Sequence, residues 1–398
     1  MNYALTASDP RFLPLLNTLT ELGSAQADTA GLTQGYSEAL VGYGLPLDRA
    51  TTHIGTLHSE HIGSGMVWMN GKEVQEQHFD FGTRNGELFL NSAVKVVEDR
   101  GELLELWPKR DLDNPVNVLP DLRAGGIHHY LAYPLHFSDG AVNVASFATR
   151  AETGFSPRDR ALLEALLPFY TQALELKSLR GTMEDILKIY VGREPATQIL
   201  SGNIKRGQVS RMSAAILMAD LRNFTELSNR LPARKLVQIL NAFFDCYVPP
   251  IVAEGGEVLK FIGDAVLAIF PQPDGMAAVS SPSERALSAA QQGLANMEAL
   301  NRSLTDDPAH LGSGVALHQG RVAFGNVGSI ERQDFTAIGP DVNLAARIAT
   351  LCGELGQPLL LSERFAKGSE LPLIDQGTHR LKGFAQRQRV FSMEGFSL

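Results

Sequence analysis

The sequence predicts an α+β protein of two folded units joined by a helix. Its 398 residues are 44% hydrophobic and 20% charged, enough for more than one core and too apolar for a disordered chain. Strand-like alternation and helical spacing interchange in both halves. Between them, Leu162, Phe169, Leu176, Met183 and Tyr190 recur every seven residues, with Leu166, Ala173 and Leu187 on the neighbouring seam.

The elements follow in order. Residues 28–44 have helical spacing, and from Arg49 to Met69 the pattern turns strand-like, with Gly63, Gly65 and Asn70-Gly71 supplying turns. Residues 91–106 read as helix. His129 to Phe137 and Ala141 to Thr149 form a strand pair about Ser138-Asp139-Gly140. The clearest helix start is Ser156-Pro157-Arg158-Asp159, where Ser can cap, Pro suits the first turn and Asp favours the positive helix end. The heptad that follows predicts a parallel contact between two chains, and packing on its own domain is the alternative. Pro168 is expected to kink this helix, while Arg180 and Gly181 interrupt or weaken the seam.

Gly192-Arg193-Glu194-Pro195 and Arg206-Gly207 mark a connector. Beyond it come a strand (213–219), helical material (224–253), a hairpin (257–261 and 265–270), a long helix (283–303), a second hairpin (312–317 and 322–327) and a helix after Pro340. That order predicts a ferredoxin-like βαββαβ core. Pro249-Pro250 should interrupt or bend the helix preceding Gly255. The domain bounds expected are 1–155, a helical linker 156–204, and 205–398.

Composition narrows the function. Lys+Arg number 35 against 44 Asp+Glu, and residues 201–398 hold 19 of each, so the whole net charge of −9 lies in the first half. No broad basic surface serves a nucleic-acid backbone, and the strands of the second half lack interleaved aromatics. Two cysteines, Cys246 and Cys352, are too few for a disulfide framework. The start lacks a basic, then apolar leader, and no apolar run approaches ~18 residues. A cytoplasmic protein with no transmembrane segment is expected.

The layout of residues 28–175, with VASFATRAETGFSPRDRALLEAL its most suggestive stretch, resembles a GAF-type sensory domain. That resemblance implies an N-terminal regulatory domain answering an unknown small-molecule or protein signal. Seven of the ten histidines lie in this half, but His128 and His129 are strand neighbours on opposite faces, and His58 and His61 lack a helical setting. Packing or surface roles are expected for them. Tyr130, Tyr133 and Phe137 with Gly63–Gly65 are candidates for a pocket or for core.

Chemistry concentrates where strands stop. Asp220 follows the apolar run 214–219, and Asp264 lies in Phe261-Ile262-Gly263-Asp264-Ala265, where Gly-Asp can turn a hairpin. Bringing the first strand beside that hairpin places both acids at one edge, the usual arrangement for Mg²⁺ shared with substrate phosphates. Singly, each acid reads as a helix cap or a turn residue.

With Asp220-Leu221-Arg222-Asn223-Phe224-Thr225, Gly255-Gly256-Glu257-Val258-Leu259-Lys260, Gly325-Asn326-Val327-Gly328 and Phe335-Thr336-Ala337-Ile338-Gly339-Pro340-Asp341-Val342-Asn343-Leu344-Ala345-Ala346-Arg347, residues 205–395 strongly resemble the class III adenylate and guanylate cyclase catalytic domain. The resemblance implies a head-to-tail homodimer with two sites, each built from both chains. One chain brings Asp220, Leu221 and Asp264 to two Mg²⁺ or Mn²⁺ ions. The partner chain supplies Lys260 to the purine, Asn343 and Arg347 to the ribose and α-phosphate, and Lys382 to the terminal phosphates. Arg332 is a further phosphate candidate, and Phe224 and Thr225 flank the substrate. Asn343 and Arg347, four apart on a helix that Pro340 and Asp341 can start, share one face.

Lys at position 260 favours ATP, since adenine N1 accepts a hydrogen bond and guanine N1 donates one. The second purine contact, placed three residues before the Asn, falls on Pro340, which leaves its backbone carbonyl or Asp341 for the adenine amino group. Asn223 stands where the family often has Gly. The resemblance thus implies conversion of ATP to cyclic AMP and pyrophosphate, with GTP, or a non-catalytic nucleotide-sensing dimer, as alternatives.

Overall fold

The computed structural model describes residues 9–25, 28–58, 61–272, 280–303, 311–367 and 372–394. Two compact units divide at 186/187. The first contains α1 (Phe12–Ser24), α2 (Thr29–Gly42), β1 (Arg49–Gly55), β2 (His61–Met69), β3 (Gln75–Asp80), α3 (Glu87–Leu90), α4 (Ala93–Arg100), β4 (Leu104–Leu106), α5 (Leu119–Ala124), β5 (His129–His136) and β6 (Val142–Thr149), and α6 (Pro157–Val191) runs out of it. Its six strands form an antiparallel sheet in the order β3-β2-β1-β6-β5-β4. Period-two alternation sends Leu131 and Tyr133 of β5 into the core under α1, α2 and α6, and Tyr130 and Ala132 into the one under α4 and α5. The two tyrosines therefore face opposite cores. The helix expected over 91–106 is shorter, because Gly101 in the left-handed region (φ 64°) ends α4 and β4 follows.

Ser156 opens α6 as expected, its Oγ accepting from Asp159 N at 3.2 Å while Asp159 Oδ2 accepts from Ser156 N at 3.2 Å. The helix continues through Pro168. Leu162, Leu163, Leu166, Tyr170 and Leu174 are buried in the first unit's core, so the first half of this helix is part of that unit. The later heptad positions Phe169, Leu176, Met183 and Tyr190 are exposed.

The second unit contains α7 (Arg193–Leu200), β7 (Val209–Leu221), α8 (Phe224–Arg230), α9 (Ala233–Ala253), β8 (Glu257–Ile262), β9 (Ala265–Pro271), α10 (Pro282–Ser303), β10 (Ser313–Gly328), β11 (Gln333–Ile338), α11 (Pro340–Glu354), β12 (Leu359–Ser362), α12 (Glu363–Ala366), β13 (Leu373–His379) and β14 (Gln388–Met393). The sheet order β13-β14-β12-β10-β7-β9-β8, with β11 on β10, contains the ferredoxin-like order β10-β7-β9-β8. One core packs α9 and α10 on one face and a second packs α11 on the other.

The expected hairpin over 312–327 is instead one strand. β10 pairs with β7 continuously from Ser313↔Leu221 to Gly325↔Val209. Gly320, between the two expected arms, allows a close approach: a Cβ there would sit 2.5 Å from Asp341 Cβ. The hairpin lies later, between β10 and β11. The material over 224–253 is two helices separated at Leu231-Pro232, and α9 runs through Pro249-Pro250. Pro250 cannot donate to the carbonyl of Cys246, and Asn296 Nδ2 of α10 donates to it instead at 3.0 Å. By length and hydropathy α9 could cross a membrane, but Ile239, Phe243, Tyr247 and Ile251 on it belong to the core.

Candidate active site

β7 places the first acid. Its residues from Ala214 to Ala219 are buried on both faces, and Asp220 stands where the strand emerges, opposite Ala265 of β9 and Gly314 of β10. The second acid sits in the two-residue turn between β8 and β9, where Gly263 takes φ 63° and lets Ile262 pair with Ala265. Leu221 N donates to the Asp264 carbonyl at 3.0 Å, which draws the turn against the end of β7. The two acids therefore stand at the same end of the sheet, as expected, close enough for the charge of Asp264 to act on Asp220.

Burial pushes the Asp220 carboxyl up to about 6, Arg222 opposes that rise, and the charge of Asp264 adds to it. Asp220 Oδ1 is buried and accepts no hydrogen bond among the described residues, its nearest cation being Nη1 of Arg222 at an ion-pair distance of 3.2 Å. A desolvated carboxylate with an unsatisfied oxygen beside a second acid fits a divalent cation of the Mg²⁺ type, which takes one or two carboxylates and leaves its other positions to water and phosphate. No group of three or more His, Cys, Asp or Glu among the described residues is arranged around one point.

Asn223 is the single non-glycine residue at positive φ (57°) among the described residues. It serves where glycine would, because Asn tolerates the left-handed region better than other side chains. It turns the chain into α8, where Phe224 packs on the core and Thr225 is exposed.

α11 carries the other half. Gly339 and Pro340 start it; Val342, Leu344, Ala345 and Ile348 are buried, and Asn343 and Arg347 are exposed on one face. Neither side chain makes a hydrogen bond or ion pair among the described residues, and the same holds for Lys382 in the Leu381–Phe384 turn between β13 and β14. Arg332 is exposed in the β10–β11 turn, with its backbone tied to Ser329. Lys260 of β8 is paired with Asp334 of β11.

Asp341 is placed differently. Its Oδ1 lies 3.3 Å from Nε2 of buried His318, and its Oδ2 accepts from Arg321 N at 2.7 Å and faces Arg364 at 3.4 Å. Oδ2 is engaged inside the chain, while Oδ1 lies near His318 Nε2 without a hydrogen bond between them. Arg222 and Asp334 were not singled out from sequence, although each stands within two residues of a motif position. The missing signal was side-chain pairing, Arg222 with Asp220 and Asp334 with Lys260, which only the tertiary structure reveals.

The first unit has a cavity of about 330 Å³ lined by His58, His61, His78, Glu76, Lys177 and Asp185, among others. The three imidazoles stack in a row, with ring centroids 4.7 and 4.9 Å apart. Its ring planes lie parallel and do not converge on a common point.

Residues 208–367 match the family model of the adenylate and guanylate cyclase catalytic domain. An uncharacterized protein of Mycobacterium tuberculosis is 33% identical over 190 residues, 48% of this chain and 32% of that protein. The chain thus spans about a third of the length of the curated relatives it matches. Among solved structures, a bacterial light-regulated adenylyl cyclase is 28% identical with a TM-score of 0.41, over 46% of this chain and 91% of that one. A guanylyl cyclase is 25% identical with a TM-score of 0.40, over 48% and 98%. The likeness to cyclase catalytic domains is thus carried by the segment 208–367.

Proposed function

We propose that the protein is a homodimeric adenylate cyclase, converting ATP to 3′,5′-cyclic AMP and pyrophosphate under the control of its N-terminal, GAF-type unit. The observation that carries this reading is the meeting of Asp220 and Asp264 at one edge, with an oxygen of Asp220 buried and unsatisfied, inside the matched segment.

Asp220 and Asp264, with the Leu221 backbone between them, would hold Mg²⁺ or Mn²⁺, two per site. When bound, these ions make the ribose 3′-hydroxyl a better nucleophile and neutralise triphosphate charge. Arg347, Lys382 and Arg332 of the second chain set cations around the α-phosphate and pyrophosphate, where charge builds as the 3′-oxygen attacks and pyrophosphate leaves. Asn343 orients the ribose. The exposure of Asn343, Arg347 and Lys382, with no side-chain partner among the described residues, supports a site completed by a second copy. So does the exposed apolar surface of Phe261, Ile262, Ile330 and Ile338.

Lys260 donates to adenine N1. Asp341 is engaged elsewhere, so the second purine contact falls to Thr336, two residues from Asp334 on the same face of β11 and therefore beside Lys260. Its hydroxyl can accept from the adenine amino group. The exposed heptad of α6 supports a helix pair that carries the signal. At its end Gly192 (φ 93°) turns the chain into α7, and Glu257, at the start of the strand bearing Lys260, accepts from Glu194 N at 2.7 Å.

The test is cyclic nucleotide production by the full-length protein from ATP and from GTP, in Mg²⁺ and in Mn²⁺. Cyclic AMP is expected, absent from Asp220→Ala and from Asn343→Ala, and partly restored when the two variants are mixed. Predominant cyclic GMP would overturn the purine assignment, and no restoration on mixing would overturn the two-chain site. Deleting residues 1–155 should change basal turnover; unchanged turnover and dimerisation would count against regulation.

A further inference from the structure

Arg222 has no role in the reading above, yet its side chain is largely buried and held at two points in the second unit. Its Nη1 lies 3.2 Å from Asp220 Oδ1, and its Nη2 donates to the carbonyl of Ala349 in α11 at 2.7 Å. Its own backbone N donates to Gly312 O at 2.9 Å, fixing the Cα at the sheet edge. The side chain is 17% exposed.

The route of the guanidinium is built into two other elements. A Cβ at Gly314 of β10 would lie 1.6 Å from Nη2, and one at Gly353 of α11 would lie 3.2 Å from Nη1. Any side chain at 314 would occupy the space of the guanidinium, so strand and helix are both shaped around it. The fork thus spans from Asp220 to the helix that carries Asn343 and Arg347, two helical turns or fewer from Ala349.

We propose that Arg222 is a positioning residue that holds α11 in register with the Asp220 carboxylate, and so sets where Asn343 and Arg347 stand. The inference rests on the reading of Asp220 and Asp264 as the metal-binding pair. Two effects of the side chain have opposite signs. Its charge faces the oxygen that a divalent ion would take, and like charges in a half-buried setting repel, so Arg222 weakens metal binding. Its planar fork pairs with Asp220 and donates to the Ala349 carbonyl at once, which a lysine ammonium on a flexible stem does not reproduce. In the head-to-tail dimer, the metal pair and the α11 residues of one chain serve different sites, so Arg222 also ties one site to the other.

The experiment uses the full-length protein and the variants R222M and R222K. Mn²⁺ affinity is read by electron paramagnetic resonance without nucleotide, kcat and KM are read with ATP, and Tm is read by calorimetry. R222M, which keeps the length and removes the charge, should bind Mn²⁺ about tenfold more tightly and lose about 10- to 100-fold in kcat. R222K should return Mn²⁺ affinity to near the wild-type value while kcat stays low, because charge returns without the fork.

A purely structural arginine would lower Tm and weaken Mn²⁺ binding in both variants, and that result overturns the proposal. So does an undiminished kcat in R222M. D220A separates the underlying reading: if it still binds Mn²⁺ like the wild type, the metal pair itself is wrong, whereas loss of binding there together with unchanged kcat in R222M sinks the role of Arg222 alone.

Discussion

Asp9 in the first unit and Asp220 in the second are both largely withdrawn from water, and their carboxyls move in opposite directions. Arg11 donates to Asp9 through Nε at 3.1 Å, Nη2 at 3.0 Å and its backbone N at 2.9 Å, and Arg158 Nε adds a contact at 2.9 Å. These bonds, led by the Arg11 side chain, hold the Asp9 carboxyl down at about 2. Asp220 has one arginine at ion-pair distance from Oδ1, an oxygen that accepts no hydrogen bond, and burial carries the carboxyl up to about 6. A carboxylate whose lone pairs are filled by the chain serves the fold, and one left short serves a ligand.

The largest effect that tests this contrast is at Asp220. D220N should lower cyclase turnover about a thousandfold or more. In chelator, with no divalent ion present, the same variant should melt at a higher temperature than the wild type, because an incompletely paired buried charge is removed. A lower melting temperature in calorimetry would make Asp220 a structural residue like Asp9 and erase the distinction.

Next is Asp9 itself. D9A leaves Arg11 and Arg158 without their shared acceptor and should cost about 3 kcal/mol. The pH dependence follows from the direction of the shift. A carboxyl held at about 2 in the fold, below its free value of about 4, contributes its full stability above about 4 and loses it as pH falls toward about 2. Acid unfolding followed by circular dichroism should show D9N flatter than the wild type across that window, and parallel curves would refute the assignment.

The smallest effect asks whether a satisfied group can be turned into an orphan. N296A removes the donor to Cys246 O that stands in for the missing N–H of Pro250. About 1 kcal/mol of stability should be lost in denaturant titration. No loss would mean that water reaches the carbonyl and that α9 does not need α10 there.

Much of the catalytic unit was legible because its signals are local. An apolar run ending in Asp, a Gly-Asp turn, and an Asn and Arg four apart after Gly-Pro each state their own geometry through strand period, turn conformation or helix pitch. The ferredoxin-like order followed from element order. The hairpin expected over 312–327 failed because glycine permits either a turn or a close approach, and only the neighbour, Asp341, distinguishes them. The first unit was less legible: His58, His61 and His78 stack across a β-bulge that shifts the register between β2 and β3.

By itself, then, the sequence determined which residues could do chemistry, since side-chain type and spacing are covalent facts. It placed Asp220, Asp264, Asn343 and Arg347 in the right kinds of element. What only the tertiary structure decided is which groups are spoken for. Asp341 is taken by His318 and Arg364, Lys260 is paired with Asp334, and Asp220 keeps an unsatisfied oxygen beside an arginine that reaches α11. Hydrogen-bond satisfaction depends on atoms up to 127 residues apart arriving at the same point, and no local pattern encodes that arrival.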